Sequence, residues 1–283
     1  MDSEGAAQFG FDNGWFAAAP AWVEGMGDEG DAARAIVLDP VMLTLAGDVS
    51  GKRVLDLGCG EGRFCRMLTA RDAATVGLDL IRDMVVAARE RDPGSGLYVQ
   101  GSGDVLPFGE AAFDLVVSYL TLIDITDFRS AIEESARVLR PGGHLLVANL
   151  SAFITASDGW ERDTDGRRLY KRVDRYLETH GVVLEGNGMR FLNWHRPLDA
   201  YMEAFLNAGL ILRRFLEPTP ADQSLRDDPR FEGDFRVPDF VVMLCCEVQS
   251  PQGLLRPTES GNARRIFRGI DAGAPRVRVH LSL

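Results

Sequence analysis

The chain has 283 residues, 46% of them apolar and 26% charged, which suits one globular domain with appendages. Its net charge of −11 excludes a broad nucleic-acid-binding surface, because phosphate contacts need clustered Lys and Arg. The longest apolar run, 240–246, is too short to span a bilayer, and Met1-Asp2-Ser3-Glu4 lacks the apolar stretch of a secretory leader, so the expected location is the cytoplasm. Cysteines 59, 65, 245 and 246 have no metal-ligand spacing; free thiols and no metal are expected.

In chain order, residues 1–46 read as an N-terminal arm. Its aromatics, Phe9, Phe11, Trp15, Phe16 and Trp22, stand among polar residues and must be buried against something. Two readings stay open for it: packing on the sheet edge, or a lid over a site. Within it 31–46 reads as a helix with Pro40 as a possible break. Residues 47–249 form the main domain. Apolar strand-like runs at 53–57, 75–80, 97–100, 113–119 and 144–150 alternate with helical patterns at 62–71, 84–91 and 129–139. That alternation predicts an α/β fold with a parallel sheet covered by helices on both faces.

After Leu150 the alternation stops. Residues 151–196 read as an inserted substrate cap, with a small hairpin predicted between 173–177 and 189–194 around Gly186-Asn187-Gly188. Pro197 and Gly209 bracket a helix. Two strands, 210–216 and 239–248, follow with a proline-rich loop and no helix between them, which predicts an antiparallel finish to the sheet. The tail, 250–283, is basic on an acidic protein and is expected to be a mobile extension.

The organising stretch is Arg53-Val-Leu-Asp-Leu-Gly-Cys-Gly-Glu-Gly-Arg63. A strand passing through a glycine turn into a helix is the ligand-binding corner of a doubly wound sheet. The dinucleotide fingerprint is G-x-G-x-x-G, whereas here the order is G-x-G-x-G and Arg63 stands where the last glycine belongs. Asp56 would repel a pyrophosphate but can accept hydrogen bonds from an amine. The ligand suggested is a nucleoside with a cationic or zwitterionic tail. Asp79, nineteen residues after Gly60, can accept hydrogen bonds from ribose hydroxyls.

The segment V-L-D-L-G-C-G-E-G resembles motif I of the class I S-adenosylmethionine (SAM) methyltransferases, of the methyltransferase type 11 or UbiE-like kind. Three further segments resemble that family: Asp79-Leu80, Gly101-Ser-Gly-Asp-Val-Leu-Pro-Phe108 with Phe113-Asp114, and Arg137-Val-Leu-Arg-Pro-Gly-Gly143. His195-Arg-Pro-Leu198 is a less specific match to its small-molecule members. The resemblance implies a Rossmann-like three-layer sandwich whose seven-stranded, mainly parallel sheet has its last strand antiparallel. It implies SAM as cofactor and S-adenosylhomocysteine (SAH) as product. It implies cofactor contacts from Asp56, Gly58, Cys59, Gly60 and Gly62, a ribose contact from Asp79, adenine contacts from Ser102, Gly103 and Asp104, and a sandwich of the ring between Leu80 and Val105. Ser102 stands where the family usually has Asp.

The chemistry expected is methyl transfer to oxygen or nitrogen of a small molecule, with no nucleic-acid partner and no membrane span. Such an acceptor must lose a proton, so a base near the methyl helps. Tyr119, at the end of the fourth strand, is a candidate to shape the acceptor pocket or to pack beneath the cofactor. His195 is the candidate base, with a structural histidine as the alternative; His180 and Asp124 are further candidates. Alternative functions are a cyclase or rearrangement enzyme on the same fold, or a SAM-binding protein without catalysis.

Overall fold

The computed structural model describes residues 12–27, 30–94, 96–247 and 278–280. The arm contributes α1 (Trp15–Met26), then a π-helical turn (Arg34–Leu38) that runs directly into α2 (Asp39–Ala46). Pro40 lies in the first turn of α2, directly after the π-helical turn, and the helical path continues through it unbroken. The remainder of the arm, 1–11, lies outside the described residues.

The central sheet holds β1 (Arg53–Leu57), β2 (Ala74–Asp79), β3 (Leu97–Gln100), β4 (Phe113–Tyr119), β5 (Leu139–Leu150), β10 (Leu210–Leu216) and β11 (Phe240–Glu247), in the order β10-β11-β5-β4-β1-β2-β3. The β1–β2, β1–β4, β2–β3 and β4–β5 pairs are parallel, and β11 lies antiparallel to both its neighbours. This is the expected seven-stranded topology. Pro141-Gly142-Gly143 forms a bulge within β5: Leu139 lies opposite Phe113 and His144 opposite Leu115.

Alternate residues of each strand enter two different cores. Leu55, Leu57, Val116, Leu145 and Val147 pack with α5 (Phe128–Val138) and α7 (Leu198–Asn207). Val54, Leu115, Val117, Leu146 and Ala148 pack with α2 and α3 (Arg63–Thr69) on the other face. Burial on both sides explains why these strands read as continuous apolar runs. α4 (Arg82–Arg91) closes the β2–β3 crossover.

The insertion begins with α6 (Ala152–Thr155) and carries two small sheets. β6 (Ser157–Arg162) pairs with β7 (Arg168–Val173), and β8 (His180–Gly186) pairs with β9 (Met189–His195). The hairpin predicted from 173–177 therefore takes a different first strand. Asn187-Gly188 is a two-residue loop, both residues at positive φ (51° and 77°), and its register selects 180–186 as the partner. The backbone of β12 (Arg278–His280) runs parallel to β8. The rest of the tail, where mobility was expected, lies outside the described residues.

Candidate active site

A cavity of about 430 Å3 opens at the C-terminal ends of β1, β2 and β4, the edge where doubly wound sheets bind ligands. The sheet contributes Gly58, Gly60, Asp79, Leu80 and Tyr119 to its wall, and the loop after β3 contributes Ser102, Gly103 and Asp104. The arm adds Trp15, Trp22 and Arg34, and the loop after β4 adds Asp124 and Ile125.

The glycine turn is closed on itself. The amides of Gly58 and Cys59 donate to Leu78 O (2.7 and 3.0 Å), and that of Gly62 donates to Cys59 O (3.0 Å). The amide of Gly60 donates to Asp79 Oδ2 (2.8 Å), while Asp79 Oδ1 accepts from Ile81 N (2.9 Å). A phosphate loop needs free amides; four of this turn's are already spent, which argues against a pyrophosphate ligand on physical grounds. Asp79 retains acceptor capacity beyond these two bonds, enough for a ribose diol. Burial pushes its carboxyl up to about 6. Gly60 has φ +54° and open space before it, with Trp22 Nε1 the nearest atom a Cβ would meet, at 3.9 Å. Gly62 is different in kind: a Cβ there would lie 2.9 Å from Ala88 Cβ and from the Tyr98 ring. It lets α3 approach α4 and β3, and it does not line the cavity.

Several residues expected at the cofactor do not line this cavity. Cys59 is buried with Cys65, Val85, Ala88 and Tyr98. Asp56 lies beneath the turn, where Oδ2 accepts from Cys65 Sγ at 3.4 Å and Oδ1 is buried without a partner. Burial pushes its carboxyl up to about 7. Val105 is 73% exposed and turned away from the cavity. The cause is next door: Leu106 is buried, its amide donates to Glu134 Oε2 (2.8 Å), and Arg137 grips Leu106 O and Phe108 O. The side chain that faces Leu80's neighbourhood instead is Ile125, which packs so closely on Gly103 that a Cβ there would lie 2.9 Å from its Cδ1.

His195 is displaced from the chemistry as well. It is fully buried and off the cavity wall. Nδ1 bonds Thr155 Oγ1 (2.6 Å) and Nε2 bonds Tyr176 O (2.9 Å). A carbonyl can only accept, so Nε2 carries the proton and Nδ1 accepts from the Thr155 hydroxyl. Burial holds the ring neutral by lowering its pKa. Both nitrogens are committed to fixing α6 and the 174–179 turn to β9, so this is a structural histidine. Tyr119 does reach the wall. Its hydroxyl donates to Asp39 Oδ1 (2.8 Å), which in turn takes a two-pronged contact from Arg63. Burial, followed by the Asp39 charge, raises its pKa, so it stays a neutral phenol.

The arm is tied down over this cavity. Trp15 stacks on Phe191 (4.2 Å) and meets Trp22 edge-on (5.2 Å). Asn13 Nδ2 donates to Asp124 O, and Leu192 N donates to Asn13 O (2.8 Å). The Arg34 guanidinium lies 4.9 Å from the Trp22 ring centre and pairs with Asp31. No sequence motif marks Trp15, Trp22, Arg34, Asp124 or Ile125; segments far apart in the chain bring them together. Among the described residues no group of His, Cys, Asp and Glu has metal-binding geometry, and no helix is long and apolar enough to cross a membrane.

Sheet order, glycine turn and terminal carboxylate together define a class I SAM-dependent methyltransferase domain. Residues 55–147 match the family model described as a methyltransferase domain. The chain is 32% identical over 182 residues to a phthiotriol/phenolphthiotriol dimycocerosates methyltransferase of Mycobacterium leprae, covering 60% of this chain and 66% of that one. It is 34% identical over 142 residues to a malonyl-[acyl-carrier protein] O-methyltransferase of Serratia marcescens, covering 49% and 55%. The chain thus spans only part of the length of these relatives. Among solved structures, a SAM-dependent methyltransferase from Mesorhizobium loti matches with a TM-score of 0.66 and 27% identity, over 76% of this chain and 98% of that one.

The residues present fit SAM, the family's cofactor. The open space at Gly60, the uncommitted acceptor capacity of Asp79 and a wall rich in carboxylates suit a nucleoside carrying positive charge. A cavity of about 430 Å3 is within the range of small-molecule sites.

Proposed function

We propose that this chain transfers the methyl group of SAM to oxygen or nitrogen of a small-molecule acceptor, releasing SAH. The observation that carries this reading is the cavity at the ends of β1, β2 and β4, walled by Gly60, Asp79 and Ser102–Asp104 and covered by α1. Bound SAM supplies an electrophilic methyl on cationic sulfur; the protein supplies alignment and a dry site. In this reading Asp79 holds the ribose, and Ser102, with Asp104 accepting from its hydroxyl, holds the adenine edge. Leu80 and Ile125 flank the ring. Trp15 and Trp22 exclude water, which is the lid role of the arm. Tyr119 shapes the space between cofactor and acceptor as a neutral phenol.

A second reading concerns how the acceptor arrives. The insertion exposes Leu177 (81%), Tyr170 (60%), Leu169, Phe153 and Val173. An acceptor carried on an acyl chain or a lipid would lie along such side chains, and two relatives are named for substrates of those kinds. The four cysteines are free and buried, in keeping with the cytoplasm. The domain organisation follows: lid arm 1–46, transferase domain 47–249 with the acceptor-side insertion 151–196, and tail 250–283.

The test is calorimetric titration of SAM and SAH into the full chain, followed by a screen of alcohols, amines and acyl thioesters for SAH release. Tight binding of both ligands with SAH release in one class supports methyl transfer to that class. Absence of binding rejects the reading.

A further inference from the structure

The cavity wall is crowded with carboxylates, and most of them are already occupied. Asp127 spends both oxygens on Ser130, its amide and its hydroxyl. Asp79 accepts from two backbone amides. Asp12 caps α1 through Phe16 N, and Asp104 takes the Ser102 hydroxyl. Asp124 differs in how firmly it is held: Oδ1 accepts from Asn193 Nδ2, Trp15 of the arm bonds the carboxylate, and the half-buried residue lines the cavity.

Its position is held from three sides. Asn13 of the arm donates to its carbonyl, and Trp194 N donates to Ile123 O at 2.8 Å. Arg196 donates to Leu122 O (2.9 Å), Ile125 O (2.6 Å) and Thr126 O (3.2 Å). A loop so constrained does not yield when a charge is placed beside it, which is the condition for a preorganised counter-charge.

The covalent structure of SAM then narrows the choice of partner. Its sulfur is bonded to the ribose C5′, so the charge lies close to whichever residue holds the ribose hydroxyls. On the reading above that residue is Asp79, and Asp79 and Asp124 line the same cavity. We propose that Asp124, as a carboxylate, is the counter-charge to the methylsulfonium of SAM, and that it separates SAM from SAH by charge. After transfer the sulfur is neutral, the attraction is gone, and product is released. This rests on the cavity being the SAM site.

The charged and titratable groups around Asp124 are Asp79 on β2, Arg34 before α2, Tyr119 on β4, Asp12, Asp104 and Asp127 on the same wall, and Arg196 beneath its loop. Burial pushes Asp124 up to about 7, so near neutral pH part of the population is protonated. When SAM docks, the carboxyl O–H breaks, its proton goes to the buffer, and the carboxylate stays beside the sulfonium. SAH, identical except for that charge, gives less release.

The experiment is calorimetry at pH 7 on the full chain, in buffers of different ionisation enthalpy, with SAM and SAH. Wild type is expected to release about half a proton with SAM, the fraction set by a pKa near the working pH, and clearly less with SAH. Asp124→Asn is expected to release none in excess, to lose roughly tenfold of its SAM-over-SAH preference, and to bind SAH within about threefold of wild type. Equal proton release with SAM and SAH in wild type overturns the proposal, and this measurement does not depend on any variant folding. An unchanged SAM-over-SAH ratio in Asp124→Asn also overturns it while leaving the cofactor reading intact. Binding of neither ligand to wild type removes the cofactor reading itself.

Discussion

Replacing Arg196 with Ala is the most informative single change outside the cavity. Arg196 is 3% exposed, and its guanidinium donates to Leu122 O, Ile125 O, Thr126 O and the Tyr201 hydroxyl while lying 4.3 Å from the Phe128 ring centre. A hydrogen bond to a charged donor contributes ~1.5–3 kcal/mol, and the carbonyl of buried Leu122 would be left without its partner. The contacts act as one group and do not add, so the expected loss is about 3–5 kcal/mol. That is a large share of the ~5–15 kcal/mol that holds a typical domain. Urea unfolding, followed by circular dichroism and tryptophan fluorescence, measures it. Arg196→Lys keeps the charge but not the planar fork, and about half the loss is expected. The loop in question carries Asp124, Ile125 and Thr126 of the cavity wall, so SAM affinity of the folded Lys variant should fall roughly tenfold, or about 1.4 kcal/mol. A stability change below about 1 kcal/mol in Arg196→Ala would refute the reasoning.

The two glycines of the turn should separate stability from binding. Gly62→Ala must move Ala88 or Tyr98 and adopt φ +80°, costing more than ~2 kcal/mol in urea unfolding. Gly60→Ala meets only the φ +54° strain, ~1–2 kcal/mol, but places a methyl in the cofactor space, so calorimetry should show SAM binding lost from a folded protein. His195→Gln should reduce stability by ~1–3 kcal/mol without changing the acid limb of the pH–rate profile. The wild-type ring has a folded pKa below its unfolded value, so its contribution is present above about pH 6.5 and is lost as the pH falls below that toward the lower folded pKa. The wild-type advantage over the variant should therefore shrink between pH 7.5 and 5.5 in paired urea titrations. Asn13→Ala frees the arm from the loop after β4 and should speed SAH dissociation severalfold in stopped-flow fluorescence; an unchanged rate would remove the lid from the release step.

Much of this molecule is legible in the chain itself. Two-sided burial makes β1, β4 and β5 continuous apolar runs, and Pro, Gly and the alternation of periods place the helices between them. The glycine turn and Asp79 mark the ligand edge because both depend on local backbone geometry and on a short, definite separation. The hairpin turn at Asn187-Gly188 is equally local, though its partner strand was not: 173–177 and 180–186 are both plausible by pattern, and only cross-strand register chose the second.

Side-chain roles of the neighbouring residues depended on contacts that sequence order does not encode. In His195-Arg196 the histidine read either as a base or as structural; its two nitrogens are used by Thr155 and Tyr176, and the arginine next to it holds the cavity loop. Val105 looked like an adenine contact, yet Arg137 and Glu134 anchor Leu106 and turn Val105 outward. Asp124 became prominent because Asn13, Asn193 and Arg196, from segments roughly 70 to 110 residues away, converge on its loop. Fold and cofactor edge rest on periodicity and backbone conformation, which are local and survive in a string of letters. Which carboxylate is pinned on the cavity wall is settled by packing between distant segments, and only the tertiary structure decides it.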